Sequence, residues 1–291
     1  MVQVCGLFVA TMTSVCAPVS GEAAASKSQL KIVASFYPMY IATLNIVRDV
    51  PGVSLSSMAP PVSGCLHDYQ LRPSEVAAIS RADVFVVNGA GMESFLEKAM
   101  QQNPRVALVV ASGGMDLLIN GGETNAHLWA SPSLYIRQVR NIADGLSKAD
   151  PLHAEQYGTN AEEYCAQVED LLKNMQAGLK DIKRRNIVTF HEAFAYMANE
   201  FGLNVVAVIA REPGNEPDAR ELADTIAVVR KTGATTIFTE PQYSDKAAAT
   251  IARETGAKLH QLDPAVTGPM QPDAYLRIME KNLKVLREAL K

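Results

Sequence analysis

The chain has 291 residues, 48% of them hydrophobic, which allows two ordinary domains or one large one around a sizeable core. Charged residues make up 20% and the formal net charge is −4. That balance excludes the basic face a nucleic-acid binder needs, and strong attraction to an anionic membrane surface.

Residues 1–21 contain no Lys, Arg, Asp or Glu, residues 2–19 are largely apolar or small, and Ala23, Ala24 and Ala25 follow. This is the pattern of a signal-peptide core and its small-residue cleavage site, so residues 1–25 are expected to direct export and then leave. It lacks the basic residue that normally precedes the core; the alternative is a buried or interfacial N-terminal helix. Lipidation at Cys16 is disfavoured by the bulk of Val15 just before it. No later stretch reaches the roughly 18 to 20 apolar residues of a membrane span.

From residue 30 onward, apolar β-rich runs alternate with helical patterns. Strands are expected over 30–36, 53–58, 83–88 and 106–111, with helices over 38–50, 73–81 and 92–102 between them. Strands this apolar, spaced by helices, predict a parallel sheet covered on both faces. Residues 133–185 contain no strand-like run. One helix is expected over 134–147. A second, over 153–183, carries Ala161, Tyr164, Val168, Leu171, Leu172, Met175 and Leu179 at helical spacing. At about 45 Å it would act as a stiff strut. The βα rhythm resumes with strands over 187–190, 205–209, 235–239 and 258–262 and helices over 193–201, 219–231, 245–255 and 273–289. Gly202 and Gly256 fit helix C-terminal caps. The expected fold is therefore α/β, with two parallel-sheet βα lobes joined by a long rigid helix. Its expected divisions are an N-terminal lobe over 26–150, the connecting helix over 151–185 and a C-terminal lobe over 186–291.

Three of the five histidines sit where strands end or a helix begins. His67 follows the second strand, His191 the fifth, and His127 precedes the helix opened by Ser131 and Pro132. Asp263 follows the eighth strand. Ligands of open α/β sheets bind beyond the carboxyl ends of the strands, so two facing lobes bring these four residues to one cleft. Neutral imidazoles with one carboxylate suit a four-coordinate transition metal, zinc above all. His153, at the start of the long helix, is expected to be solvated, and His260 to be a packed or edge residue of a strand. Glu93 and Glu97 read as ordinary helix charges, and Gly89 and Gly91 as a tight turn rather than a phosphate loop.

The order and surroundings of these residues resemble the solute-binding proteins of metal-ion ABC transporters, the zinc- and manganese-type family. The resemblance runs from about residue 30 to the end of the chain. It is carried by KIVASFYP at 31–38, HDYQLRPS at 67–74, ADVFVVNGAGME at 82–93, NAHLWASP at 125–132, FHEAFAY at 190–196, FTEPQYS at 238–244 and LDP at 262–264. It implies two lobes around a rigid helix, with His67, His127, His191 and Asp263 lining a metal site between them. It also implies Zn2+ as the transported ion, with Mn2+ the alternative, an ABC transporter membrane permease as partner, and a monomer. The expected location is periplasmic or at the outer face of the cytoplasmic membrane. His at position 191 points to zinc, since manganese favours more oxygen ligands. One departure is the short, His-free segment 115–124, where many zinc members carry a long His- and acid-rich loop. Glu240 either orients a ligand histidine or serves as a capping carboxylate. Cys65, two residues before His67, is a soft ligand, a disulfide partner of Cys165 or a packed thiol; the packed and paired readings rank above the ligand one.

Two other functions compete. An exported zinc-dependent hydrolase would use His67, His127 and His191 as ligands and Glu192 or Glu240 as general base. Asp263 would then close the position that water needs, and no HExxH helix is present. A binder of an organic or phosphate ligand would want aromatic or Arg-lined walls, where this site offers imidazoles.

Overall fold

The structure, a computed structural model, describes residues 1–3, 29–66, 69–120, 122–210 and 217–291. Nearly all of the expected signal peptide, with Cys5 and Cys16, and the ligand candidate His67 lie outside the described residues.

The N-terminal lobe runs β1 (Leu30–Ala34), α1 (Tyr37–Ile46), β2 (Val53–Ser57), α2 (Pro73–Ser80), β3 (Val84–Val87), α3 (Glu97–Gln101) and β4 (Ala107–Val110). Its strands are all parallel, in the order β2-β1-β3-β4. All four residues of β3 are buried, which is why this strand reads as an unbroken apolar run. The edge strand β4 leaves Leu108 and Val110 exposed. Prolines in the first turn open α1 and α2, where a missing N–H costs nothing.

A two-stranded antiparallel hairpin follows, β5 (Ile119–Asn120) and β6 (Glu123–Thr124). Two helices come next, α4 (Pro132–Ala149) and α5 (Ala154–Leu179). The C-terminal lobe then runs β7 (Asn186–Thr189), α6 (Ala195–Phe201), β8 (Asn204–Val208), α7 (Ala219–Thr232), β9 (Thr236–Thr239), α8 (Lys246–Thr255), β10 (Lys258–Gln261) and α9 (Ala274–Ala289). Its parallel sheet has the order β10-β9-β7-β8. Read from the other edge, this repeats the order of the first sheet, although the two halves share no sequence repeat. Gly202 and Gly256, at φ of 64° and 77°, close α6 and α8 in the left-handed conformation that a side chain would strain.

The two-lobed α/β architecture is as expected from the sequence, and three details differ. Residues 92–102 do not form one helix: a 3-10 turn at Ser94–Leu96 precedes the short α3. The long helix ends at Leu179, giving it 26 residues and about 39 Å. Beyond it the chain turns to meet the C-terminus, where Lys183 N and Arg184 N donate to Leu290 O. The hairpin lies in a segment too short and polar to carry a strand period.

One face of α5, including Tyr157, Tyr164, Val168, Leu171 and Met175, is buried. It packs on α1 and α4 of the first lobe and on α9 of the second. One apolar cluster therefore runs through both lobes, from Ile32 and Phe85 to Phe194, Phe238 and Tyr275, and a second, with Val188, Ile237 and Ile251, lies within the C-terminal lobe. Tyr135 of α4 and Tyr275 of α9 stack within the first, ring centroids 3.9 Å apart. Among the described residues no helix is long and apolar enough to cross a membrane.

Candidate metal centre

In each lobe the chain goes from its first strand to one side and then crosses back to the other, so the first and third strands flank the point where connections diverge. Ligand sites of such sheets form there, beyond the carboxyl ends. In the second lobe the pair is β7 and β9, with Thr189 opposite Phe238. Two residues further on, His191 and Glu240 leave the sheet side by side. His191 Nδ1 lies 2.5 Å from Glu240 Oε1, and each residue is 1% exposed. Against a carboxylate, Nδ1 carries the proton and Nε2 presents a lone pair. Glu240 thus orients a histidine, the first of its two readings. Its other oxygen is buried with no hydrogen-bond partner among the described residues.

The first lobe uses the equivalent point to hold a loop. Glu93 is buried and accepts from Ser35 Oγ at 2.7 Å, Asn88 N at 2.8 Å and Gly89 N at 2.9 Å. Burial pushes its carboxyl up to about 7, against the downward pull of those hydrogen bonds. Asn88, so fixed, donates from Nδ2 to Ala126 O. Asn125 Oδ1 then accepts from both His127 N (3.0 Å) and His127 Nδ1 (3.1 Å). His127 is 2% exposed, and its Nε2 is turned toward the second lobe. Asn125 Nδ2 reaches across to Glu192 O, and Tyr196 Oη donates to Asn125 O, so the loop is tied to both lobes.

The two Nε2 atoms stand 3.3 Å apart. Cys65 Sγ lies 3.6 Å from His127 Nε2 and 3.7 Å from His191 Nε2. Among the described residues these three side chains form a group whose ligand atoms all lie within 4.8 Å of one another. Cys65 is half-buried and outside any disulfide, as is the buried Cys165, so the disulfide reading is not realised. Burial, and then the Glu240 carboxylate, push the Cys65 thiol well above its ordinary range. Asp263 is not in this tight group. Its main chain is clamped by Asn282, which accepts from Asp263 N and donates to Asp263 O, and its Oδ1 accepts from Ala265 N. Burial raises its carboxyl, while the Ala265 N–H, Lys281 and Gln242 pull it down.

The remaining histidines stand apart. His153 is 19% exposed at its side chain and pairs with Asp150 Oδ2 at 2.6 Å, so it is packed and paired rather than solvated. His260 lies on the edge strand β10, against Phe238, as expected. Glu93, expected to be a helix charge, is instead the anchor of the turn at Gly89–Gly91. Asn125 and Tyr196 stand in the sequence only as members of the motifs NAHLWASP and FHEAFAY, with nothing to mark their part in holding the loop.

A family model described as the periplasmic component A of the zinc-uptake complex, ZnuA, matches residues 32–289. The high-affinity zinc uptake system protein ZnuA of Bacillus subtilis is 33% identical over a 316-position alignment, which covers 100% of this chain and 96% of that protein. The zinc-binding protein AdcA of Streptococcus pyogenes serotype M6 is 31% identical over 293 positions, 90% of this chain but 56% of that protein. This chain thus spans about half of that relative's length. The solute-binding protein FpvC of Pseudomonas aeruginosa, solved with Mn2+, superposes with a TM-score of 0.83 at 30% identity, covering 90% of this chain and 98% of that one. The hydrolase alternative finds no support among these proteins.

Proposed function

The chain belongs to the family of periplasmic zinc-uptake component A proteins, and from that premise we propose that it captures Zn2+ outside the cytoplasmic membrane and passes it to an ABC transporter permease. Mn2+ is the alternative cargo. The ligands on this reading are His67, His127, His191 and Asp263, and the protein acts exported, as a monomer.

The observation that supports this reading most is the meeting of His127 and His191. Each has its Nδ1 hydrogen engaged by an acceptor, so two Nε2 lone pairs face each other at 3.3 Å in a buried site. Two nitrogens so close can share one cation, and neutral imidazole is a good donor to zinc. Glu240 behind His191 fixes the orientation of that imidazole, the usual arrangement behind a metal-bound histidine.

The protein is expected to bind one Zn2+ tightly. A ligand that binds only the folded state stabilises it, by about 2.7 kcal/mol at a hundredfold excess over Kd. Zinc should therefore raise the melting temperature, and a chelator should reverse the rise. The rise should be lost in His127→Ala and His191→Ala, reduced in His67→Ala and Asp263→Ala, and kept in His153→Ala and His260→Ala. A natural protein whose melting ignores both zinc and manganese would end the proposal.

A further inference from the structure

We propose that Cys65 is itself a metal ligand, its thiolate completing with the imidazoles of His127 and His191 a face of two nitrogens and one sulfur that selects zinc-like ions over manganese. The inference rests on the reading that the two histidines hold a metal, and it deepens that reading by naming a ligand and the class of ion it prefers.

Geometry carries it. A tetrahedral zinc has bonds of about 2.0–2.1 Å to nitrogen and about 2.3 Å to sulfur. Tetrahedral angles then separate two nitrogens by about 3.3 Å, and a nitrogen from a sulfur by about 3.6 Å. The three observed separations are 3.3, 3.6 and 3.7 Å. Without metal the Cys65 thiol is within S–H···N distance of either imidazole, and the same three separations are those between the donors of a tetrahedral metal, so the three side chains need no rearrangement to bind one.

The surroundings hold it there. Cys65 follows Gly64, whose φ of 74° lets the chain turn sharply toward the site. The Tyr243 hydroxyl lies against Gly64, and its ring stacks on Phe190, the residue before His191. Among the described residues the other free thiol, Cys165, is buried on α5 with its Sγ against Ile136 O, and so is no disulfide partner. Metal entry replaces the S–H bond of Cys65 by an S–metal bond, and the proton leaves to solvent. Zinc takes four donors, so the thiolate displaces either His67 or Asp263 from the ligand set proposed above, and the other fills the fourth position. A thiolate donor suits zinc and cobalt and is foreign to manganese, which prefers oxygen.

The test is spectroscopic and uses the full chain loaded with Co2+. The natural protein should show a near-ultraviolet thiolate-to-cobalt charge-transfer band. Cys65→Ser should lose that band while still binding Co2+ through its histidines, and Cys165→Ser should keep it. Zinc affinity of Cys65→Ser should fall roughly tenfold or more, since removing groups that only orient a ligand already costs about 10- to 100-fold. Its manganese affinity should change far less. Co2+ bound without the band, or a band that survives Cys65→Ser, would overturn the proposal and leave the histidine site standing. Failure of the natural protein to bind either Co2+ or Zn2+ would overturn both.

Discussion

At the scale of single residues, the site consists of donors whose far sides are held. His191 is fixed by Glu240 and His127 by Asn125, and the two holders differ in charge. A carboxylate acceptor strengthens its imidazole as a donor more than an amide oxygen does. Glu240 also lends the buried centre a negative charge, which pushes the Cys65 thiol and the Asp263 carboxyl upward without metal and favours a cation. Glu240→Gln should therefore weaken zinc by about 10- to 100-fold. Asn125→Asp, which gives His127 the same kind of partner, should not weaken it. Titration of zinc by competition with a chelating dye checks this. Equal zinc affinity in the natural protein and Glu240→Gln would mean that the carboxylate only packs.

At the scale of elements, the strand ends carry the chemistry, and what is legible in the sequence follows from how local each signal is. Buried parallel strands such as β3 and β9 announce themselves as apolar runs, and α5 by its spacing of Tyr164, Val168, Leu171 and Met175. The pairing of β7 with β9 is a contact between distant parts of the chain, so no local pattern places Glu240 beside His191. Cys65 reads as packed or paired because a lone thiol two residues from a histidine carries no directional signal. Only the fold turns it to the other lobe's imidazole. Glu93 is a similar case: its helical spacing with Glu97 suggests a surface charge, yet the turn at Gly89 folds it under β3. Each Glu93 oxygen accepts a backbone N–H, so an amide in either orientation sets N–H against N–H. Glu93→Gln should cost the apo protein about 1–3 kcal/mol. The pH dependence has a definite sign. The ordinary carboxyl value is 4.5 and the folded one about 7, so between them the folded state holds more of the proton than the unfolded chain does. Stability from this group is therefore greatest below the lower value and falls as pH rises toward the upper one. The melting-temperature advantage of the natural protein over Glu93→Gln should shrink between about pH 5 and about pH 7.5. An advantage that grows over that range would show the carboxylate to be favoured in the fold.

At the scale of the whole molecule, the lobes are joined by far more than a linker. The long helix α5 packs on α1 and α4 from one lobe and on α9 from the other, and one apolar core is continuous between them. Hydrogen bonds cross the same boundary: Trp129 Nε1 to Pro264 O, Tyr275 Oη to Trp129 O, Tyr37 Oη to Pro269 O, and Asn45 Nδ2 to Pro272 O. Hinging the lobes apart would strip these bonds and wet Trp129, Tyr135 and Tyr275, at about 1.5–3 kcal/mol for each large side chain exposed. Bending α5 instead would break backbone hydrogen bonds that no neighbour replaces. Moving an open-to-closed equilibrium from 1:99 to 99:1 takes about 5.5 kcal/mol of differential binding, and a wide opening of this core would cost more than that. Metal capture should therefore proceed without a large swing of the lobes. Small-angle scattering of the apo and zinc-loaded protein should give the same radius of gyration within error. Hydrogen exchange on addition of zinc should slow in the peptides carrying Cys65 and Asp263, while α5 stays equally protected in both states. A radius of gyration that contracts on zinc binding, with exchange in α5 slowed as well, would mean that the helix is a hinge and that closure, rather than the ordering of ligand loops, signals the loaded state to the membrane partner.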